Sequence, residues 1–136
     1  MIVFDSYAWI EYFLGSNSGK IVKNYINIEE VVTPSIVLAE IARKYLREGM
    51  EEKEVVKRLN FIAANSAVAE IDVELSIAAA KAYLELMEKA KAEKLKKPSL
   101  TDGIVLATGK LLRAKIVTGD EHFKRFNEVI YIGQAI

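Results

Sequence analysis

The sequence has no cysteine and a single histidine, His122, in 136 residues. A disulfide framework and every thiolate metal site are thereby excluded, and zinc is left short of its usual nitrogen and sulfur ligands. Proline is almost as scarce. Pro34 and Pro98 are the only two, so breaks in a helical pattern are few and each marks a boundary. Neither sign of charge is in excess, with 19 Lys+Arg against 19 Asp+Glu. A nucleic-acid partner would therefore have to be gripped by a local patch and not by a basic protein as a whole. No apolar run approaches the roughly 20 residues that span a bilayer. Met1-Ile2-Val3-Phe4-Asp5 also lacks the basic stretch of a secretory signal, so a cytoplasmic protein with no membrane attachment is expected.

What is present is the balance of a folded domain, 51% hydrophobic and 28% charged residues, and one domain over residues 1–136 is the expectation at this length. Ile2-Val3-Phe4 is a short apolar run closed by Asp5, and from Ser6 the spacing of Trp9, Ile10, Phe13 and Leu14 is helical. Gly15 to Gly19 is a turn cluster before a second short helix, and Val31-Val32 reads as a second strand. Thr33-Pro34 reads as a helix start, a hydroxyl cap followed by proline at the first helical position, with Gly49 as the stop. Residues 51–65 repeat the helical period, Ala67 to Ile71 reads as a third strand, and Asp72 caps a long helix that Pro98 ends. Ser99-Leu100-Thr101 caps a helix to Leu112, Lys115 to Thr118 is a fourth strand, residues 121–126 a short helix, and Val129 to Ile132 a fifth strand. Strands separated by helices imply right-handed crossovers and a parallel sheet covered on both faces, an α/β sandwich.

In such a sheet ligands bind beyond the carboxyl ends of the strands. Asp5 and Asp120 each fall just past a predicted strand. Asp102 lies in the first turn of a helix at the head of an apolar stripe, and Glu40 lies about two turns into its helix, bordering the buried face. Each acid alone has an ordinary structural explanation: a helix N-terminus favours Asp102, and turns after strands favour Asp5 and Asp120. Together they point elsewhere. Several carboxylates converging on one sheet edge raise one another's pKa unless a cation is present, and an all-oxygen set suits Mg²⁺ or Mn²⁺. Those ions support phosphate-ester hydrolysis by activating water and aligning the phosphate. The hydroxyls of Ser6 and Thr118 are assigned to orienting Asp5, Asp120 or a water.

Val3-Phe4-Asp5-Ser6, Thr33-Pro34 leading to Glu40, Thr101-Asp102-Gly103-Ile104-Val105-Leu106-Ala107-Thr108, and Val117-Thr118-Gly119-Asp120-Glu121-His122-Phe123 stand in this order along nearly the whole chain. In them the sequence resembles the PIN-domain ribonucleases, and in its compact length the VapC-type toxins. The resemblance implies a three-layer α/β/α sandwich with a central five-stranded parallel sheet. It also implies an endoribonuclease using Mg²⁺ or Mn²⁺ held by Asp5, Glu40, Asp102 and Asp120, commonly a homodimer and silenced by a small antitoxin whose tail blocks the site. Gly109 departs from the alanine usual in this family, and Gly103 and Gly109 should each cost the helix about 1 kcal/mol relative to alanine.

Arg43, Lys44 and Arg47 follow Glu40 by one and two turns, within reach of an RNA phosphate if that helix flanks the site. Lys89, Lys91, Lys94, Lys96 and Lys97 read as a solvated helix end, or as a guide for an RNA backbone. Trp9, Tyr12 and Phe13 are an aromatic surplus that core packing or a dimer interface would absorb. His122 reads as a helix-start or loop residue. Two other metal-dependent folds with acids at strand ends are disfavoured. A receiver domain needs adjacent acids after its first strand and a haloacid-dehalogenase-like phosphatase needs Asp-x-Asp, whereas Ser6-Tyr7 follow Asp5. A PIN nuclease in RNA maturation without an antitoxin, and a non-catalytic binding module on the same fold, remain as alternatives to a toxin.

Overall fold

The computed structural model describes residues 1–133. Its elements in order are β1 (Ile2–Phe4), α1 (Ser6–Leu14), α2 (Asn17–Ile28), β2 (Val31–Pro34), α3 (Ser35–Arg47), α4 (Glu52–Asn65), β3 (Ala67–Ala69), α5 (Val73–Ala92), α6 (Leu100–Leu112), β4 (Lys115–Thr118), a 3₁₀ turn (Glu121–Phe123) and β5 (Val129–Tyr131). The five strands are all parallel, in the order β3-β2-β1-β4-β5. Burial follows that order. Every residue of central β1 is buried, as strands covered on both faces require, whereas edge strands β3 and β5 are only partly covered.

From β1 the chain steps outward to β2 and β3 through α1–α2 and α3–α4, and α5–α6 then carry it back past β1 to β4 and β5. Right-handed crossovers in opposite directions put α1–α4 on one face and α5–α6 on the other. The packing agrees: α1 contacts α2 and α3, α3 contacts α4, and α6 lies between α5 and strands β1, β2 and β4. This is the expected three-layer sandwich. The reversal of strand order beside β1 opens a crevice at the carboxyl ends of β1 and β4, where parallel sheets of this kind bind ligands.

The two helical layers are built differently. On the α1–α4 face the Trp9 ring is fully buried, edge-on to Phe4 at 5.2 Å and to Phe61 at 6.3 Å, with Phe13 stacked at 6.4 Å. Trp9 is thus absorbed by the chain's own core, and the reading of it as surplus for a dimer interface is overturned. On the other face, a Cβ on Gly103 would come within 2.7 Å of the Ala79 carbonyl oxygen, and one on Gly109 within 2.6 Å of the Ile116 side chain. The helix propensity lost at these two glycines is exchanged for close approach of α6 to α5 and β4.

Local readings differ from the structure in five places, the first being the long helix expected to run to Pro98, which ends at Ala92 with Glu93 as its C-cap. Thr33-Pro34 is the end of β2 and not a helix cap: both pair with β3, Thr33 beside Val68 and Pro34 beside Ala69, and α3 starts without a side-chain cap. The third strand stops at Ala69, the fifth at Tyr131, and the helix expected over 121–126 is a single 3₁₀ turn. The caps at Asp72 and Ser99 and the strand Lys115–Thr118 are as expected. Among the described residues no helix is long and apolar enough to cross a membrane.

Candidate active site

Asp5 is the N-cap of α1, and its carboxylate accepts the Ala8 N–H at 3.0 Å. Parallel pairing sets Phe4 beside Val117, so the next residues, Asp5 and Thr118, meet at the crevice. The Thr118 hydroxyl donates to the second Asp5 oxygen and accepts the Asp120 N–H at 3.0 Å. With an N–H occupying its lone pair, that hydroxyl has its one proton directed at Asp5. Burial pushes the Asp5 carboxyl up to about 7, against the hydrogen bonds from Thr118 and Ala8, and the charges of Asp120 and Asp102 push the same way.

Asp102 enters on the first turn of α6 as half of a capping box. Its carboxylate accepts the Ser99 N–H at 2.9 Å while its own N–H donates to Ser99 Oγ at 3.2 Å. The structural and functional readings of this residue are therefore compatible, because the cap aims the acid along the sheet edge. Burial raises its pKa, the Ser99 N–H opposes, and Asp120 raises it further. Glu40, on α3, is raised first by burial and then by Asp102, while the Ser6 hydroxyl and Arg43 favour its charged form. Ser6 thus acts on Glu40 and not, as expected, on Asp5 or Asp120. Asp120 heads the 3₁₀ turn and accepts the His122 N–H at 2.9 Å.

His122 is the residue whose place the sequence did not disclose. Its Nδ1 lies 2.7 Å from Asp120 Oδ1 and its Nε2 lies 2.7 Å from the Lys96 carbonyl oxygen. Burial works against its charge, but the Lys96 carbonyl and the Asp120 carboxylate outweigh it and raise the imidazole above its ordinary pKa. Asp102, Asp120 and His122 each offer one ligand atom, all within 4.8 Å of one another. Asp5 and Glu40 are not part of that trio but are coupled to it by charge. A return contact from histidine to an acid two positions earlier was readable from Asp120-Glu121-His122. The Lys96 contact, 26 residues away, was not.

Of the basic residues on α3, Arg43 faces Glu40 electrostatically, Lys44 pairs with Glu48 at 2.6 Å, and Arg47 is exposed. Four acids from four elements, with hard oxygen donors, suit a divalent cation such as Mg²⁺ or Mn²⁺.

The PIN domain family matches residues 2–129. The chain belongs to the PIN domain family. This PIN domain shares its fold with a toxin-antitoxin complex from Klebsiella pneumoniae, at TM-score 0.70 and 17% identity over 99% of this chain and 100% of the other. Mycobacterium tuberculosis VapC20, described as a Sarcin-Ricin loop cleaving toxin, matches at TM-score 0.70 and 18% identity, covering 95% and 98%. DNA-bound VapBC from Salmonella typhimurium matches at 0.68 and 12%, covering 97% and 99%. At these identities the likeness is one of fold. No curated protein matches the sequence. In this PIN domain Asp5, Asp102 and Asp120 are each held by a backbone N–H of a helix or turn start.

Proposed function

We propose that this PIN domain is a metal-dependent endoribonuclease of the VapC type, the toxin of a toxin-antitoxin pair. The observation that carries the reading is the convergence of Asp5, Glu40 and Asp102 on the crevice that Asp120 also lines, where burial and the neighbouring acids disfavour the charged forms of Asp5, Glu40 and Asp102. Such a group is costly in a folded chain unless a cation offsets it. Mg²⁺ or Mn²⁺ held by these four acids would lower the pKa of a bound water, align a phosphodiester and stabilise the leaving oxygen.

The chain's own residues prepare that site. The Thr118 hydroxyl and the Ala8 N–H fix the Asp5 carboxylate, the Ser6 hydroxyl favours the charged form of Glu40, and the Ser99 cap holds Asp102. Preset geometry of this kind spares the reaction the reorganisation that mobile ligands would require. Arg43 and Arg47, on the helix that presents Glu40, and the half-buried Lys44 beside them are the proposed phosphate contacts. RNA is favoured as substrate by VapC20, and a small antitoxin as partner by the Klebsiella complex. A homodimer is also proposed. With Trp9 used in the core, Val73, Ile77 and Leu84 on α5 are the apolar surface offered, at 81%, 57% and 64% exposure.

The test is cleavage of structured RNAs by wild type and by Asp5→Asn, each with Mg²⁺, Mn²⁺ or EDTA. Cleavage by wild type with metal alone supports the reading, and full activity in EDTA or in the variant overturns it.

A further inference from the structure

We propose that His122 is a positioning residue that fastens the segment between α5 and α6 to Asp120, and so fixes how Asp102 and Asp120 face each other. Asp102 reaches the site at the end of that segment, and Asp120 at the end of β4. Within residues 93–99 the helix has ended, Lys94 takes the left-handed region at φ 57, and no strand or helix holds the chain until Leu100. Three contacts tie the region to the turn after β4: Lys89 Nζ over the Phe126 ring at 4.0 Å, Arg125 with Glu93 at 3.6 Å, and the bridge from Lys96 through His122 to Asp120. The Arg125 side chain is 75% exposed, and ion pairs so open to water contribute little, whereas the His122 side chain is 13% exposed. Of the three, only the bridge reaches beyond Glu93 into the segment itself, at Lys96.

Its two ends do different things. Nδ1 holds the Asp120 carboxylate, so it governs the oxygen offered to a cation. Nε2 holds the Lys96 carbonyl, so it governs where the exposed Lys94, Lys96 and Lys97 stand relative to the acids. An RNA strand entering the crevice passes lysines that the bridge keeps in place. This last consequence rests on the nuclease reading; the bridge itself does not.

Three variants separate the ends. The side-chain amide of His122→Asn falls near the Nδ1 position and that of His122→Gln near the Nε2 position, while His122→Ala removes both contacts. Trypsin reports on the segment through cleavage after Lys94 and Lys96, calorimetry with Mn²⁺ reports on Asp120, and KM against kcat for RNA reports on both. His122→Ala is expected to be nicked severalfold faster at those sites, to bind Mn²⁺ about tenfold more weakly, and to raise KM as well as lower kcat. Gln should restore resistance to trypsin but not Mn²⁺ affinity, and Asn the reverse. Unchanged nicking in His122→Ala, or Asn and Gln behaving alike, overturns the proposal. If wild type cleaves no RNA the nuclease reading fails, and the trypsin comparison still decides on the bridge.

Discussion

Two fully buried threonines, Thr33 in β2 and Thr118 at the end of β4, head hydrogen-bonded threads of opposite character. Trp9 Nε1 donates to Thr33 Oγ1 at 3.0 Å, the Thr33 hydroxyl donates to Ser66 Oγ at 2.8 Å, and Ser66 donates to the Ile62 carbonyl at 2.7 Å. Every member is neutral and every proton has an acceptor. The Thr118 thread runs from the Asp120 N–H to a carboxylate that burial and two further acids hold near neutral pKa. The first thread joins α1, β2 and the end of α4 at no electrostatic cost. The second carries a cost in the folded chain that a cation would relieve, which is how a functional site differs from a satisfied core.

The largest effect expected is on the neutral thread. Trp9→Ala removes its first donor and a ring at the centre of an aromatic cluster, and should cost about 3–5 kcal/mol in denaturant titration. Cleavage per folded molecule should be unchanged.

Asp5→Asn acts oppositely. The folded protein keeps the Asp5 proton up to about pH 7, whereas the unfolded chain releases it near 3.8. Relative to an unshifted carboxyl, the folded state therefore loses stability as pH rises from about 4 through 7. Asn carries no charge, so in EDTA at pH 8 the variant should be more stable than wild type by about 2–4 kcal/mol. The difference should vanish below pH 4, while RNA cleavage falls by about 100-fold or more.

The two hydroxyls sharpen the contrast. Thr33→Val leaves the Trp9 Nε1 proton buried without an acceptor and should cost about 1–3 kcal/mol at every pH. Thr118→Val leaves the Asp120 N–H without its acceptor at every pH and should cost more at pH 8 than at pH 5, because it also removes a donor that the ionised Asp5 needs. Thermal melts of both across that range decide it, and parallel losses would erase the distinction. The smallest shift is expected from Mg²⁺ or Mn²⁺ on wild type, a rise in melting temperature that is larger at pH 8 than at pH 5. Asp5→Asn should show less of it.

Read alone, the sequence determined what depends on chemistry within a few residues. Asp72 and Ser99 accept N–H groups three positions on, Lys115–Thr118 is a β-rich run bounded by helix and turn, and the order of strands and acids follows from where apolar runs stop. Thr33-Pro34 misled because the same dipeptide suits a helix start and a strand end, and only pairing with Val68 and Ala69, 35 residues away, distinguishes them. The edge strands end early for a related reason, since each has one neighbour to extend it. Partners distant in the chain decided the remainder: burial of Trp9 against Phe61, the close approach that requires Gly103 and Gly109, and the meeting of His122 with Lys96. The state of Asp5 belongs there as well, because a carboxyl's pKa is set by the water and charge around it, and β1 and β4 must lie side by side before either is defined.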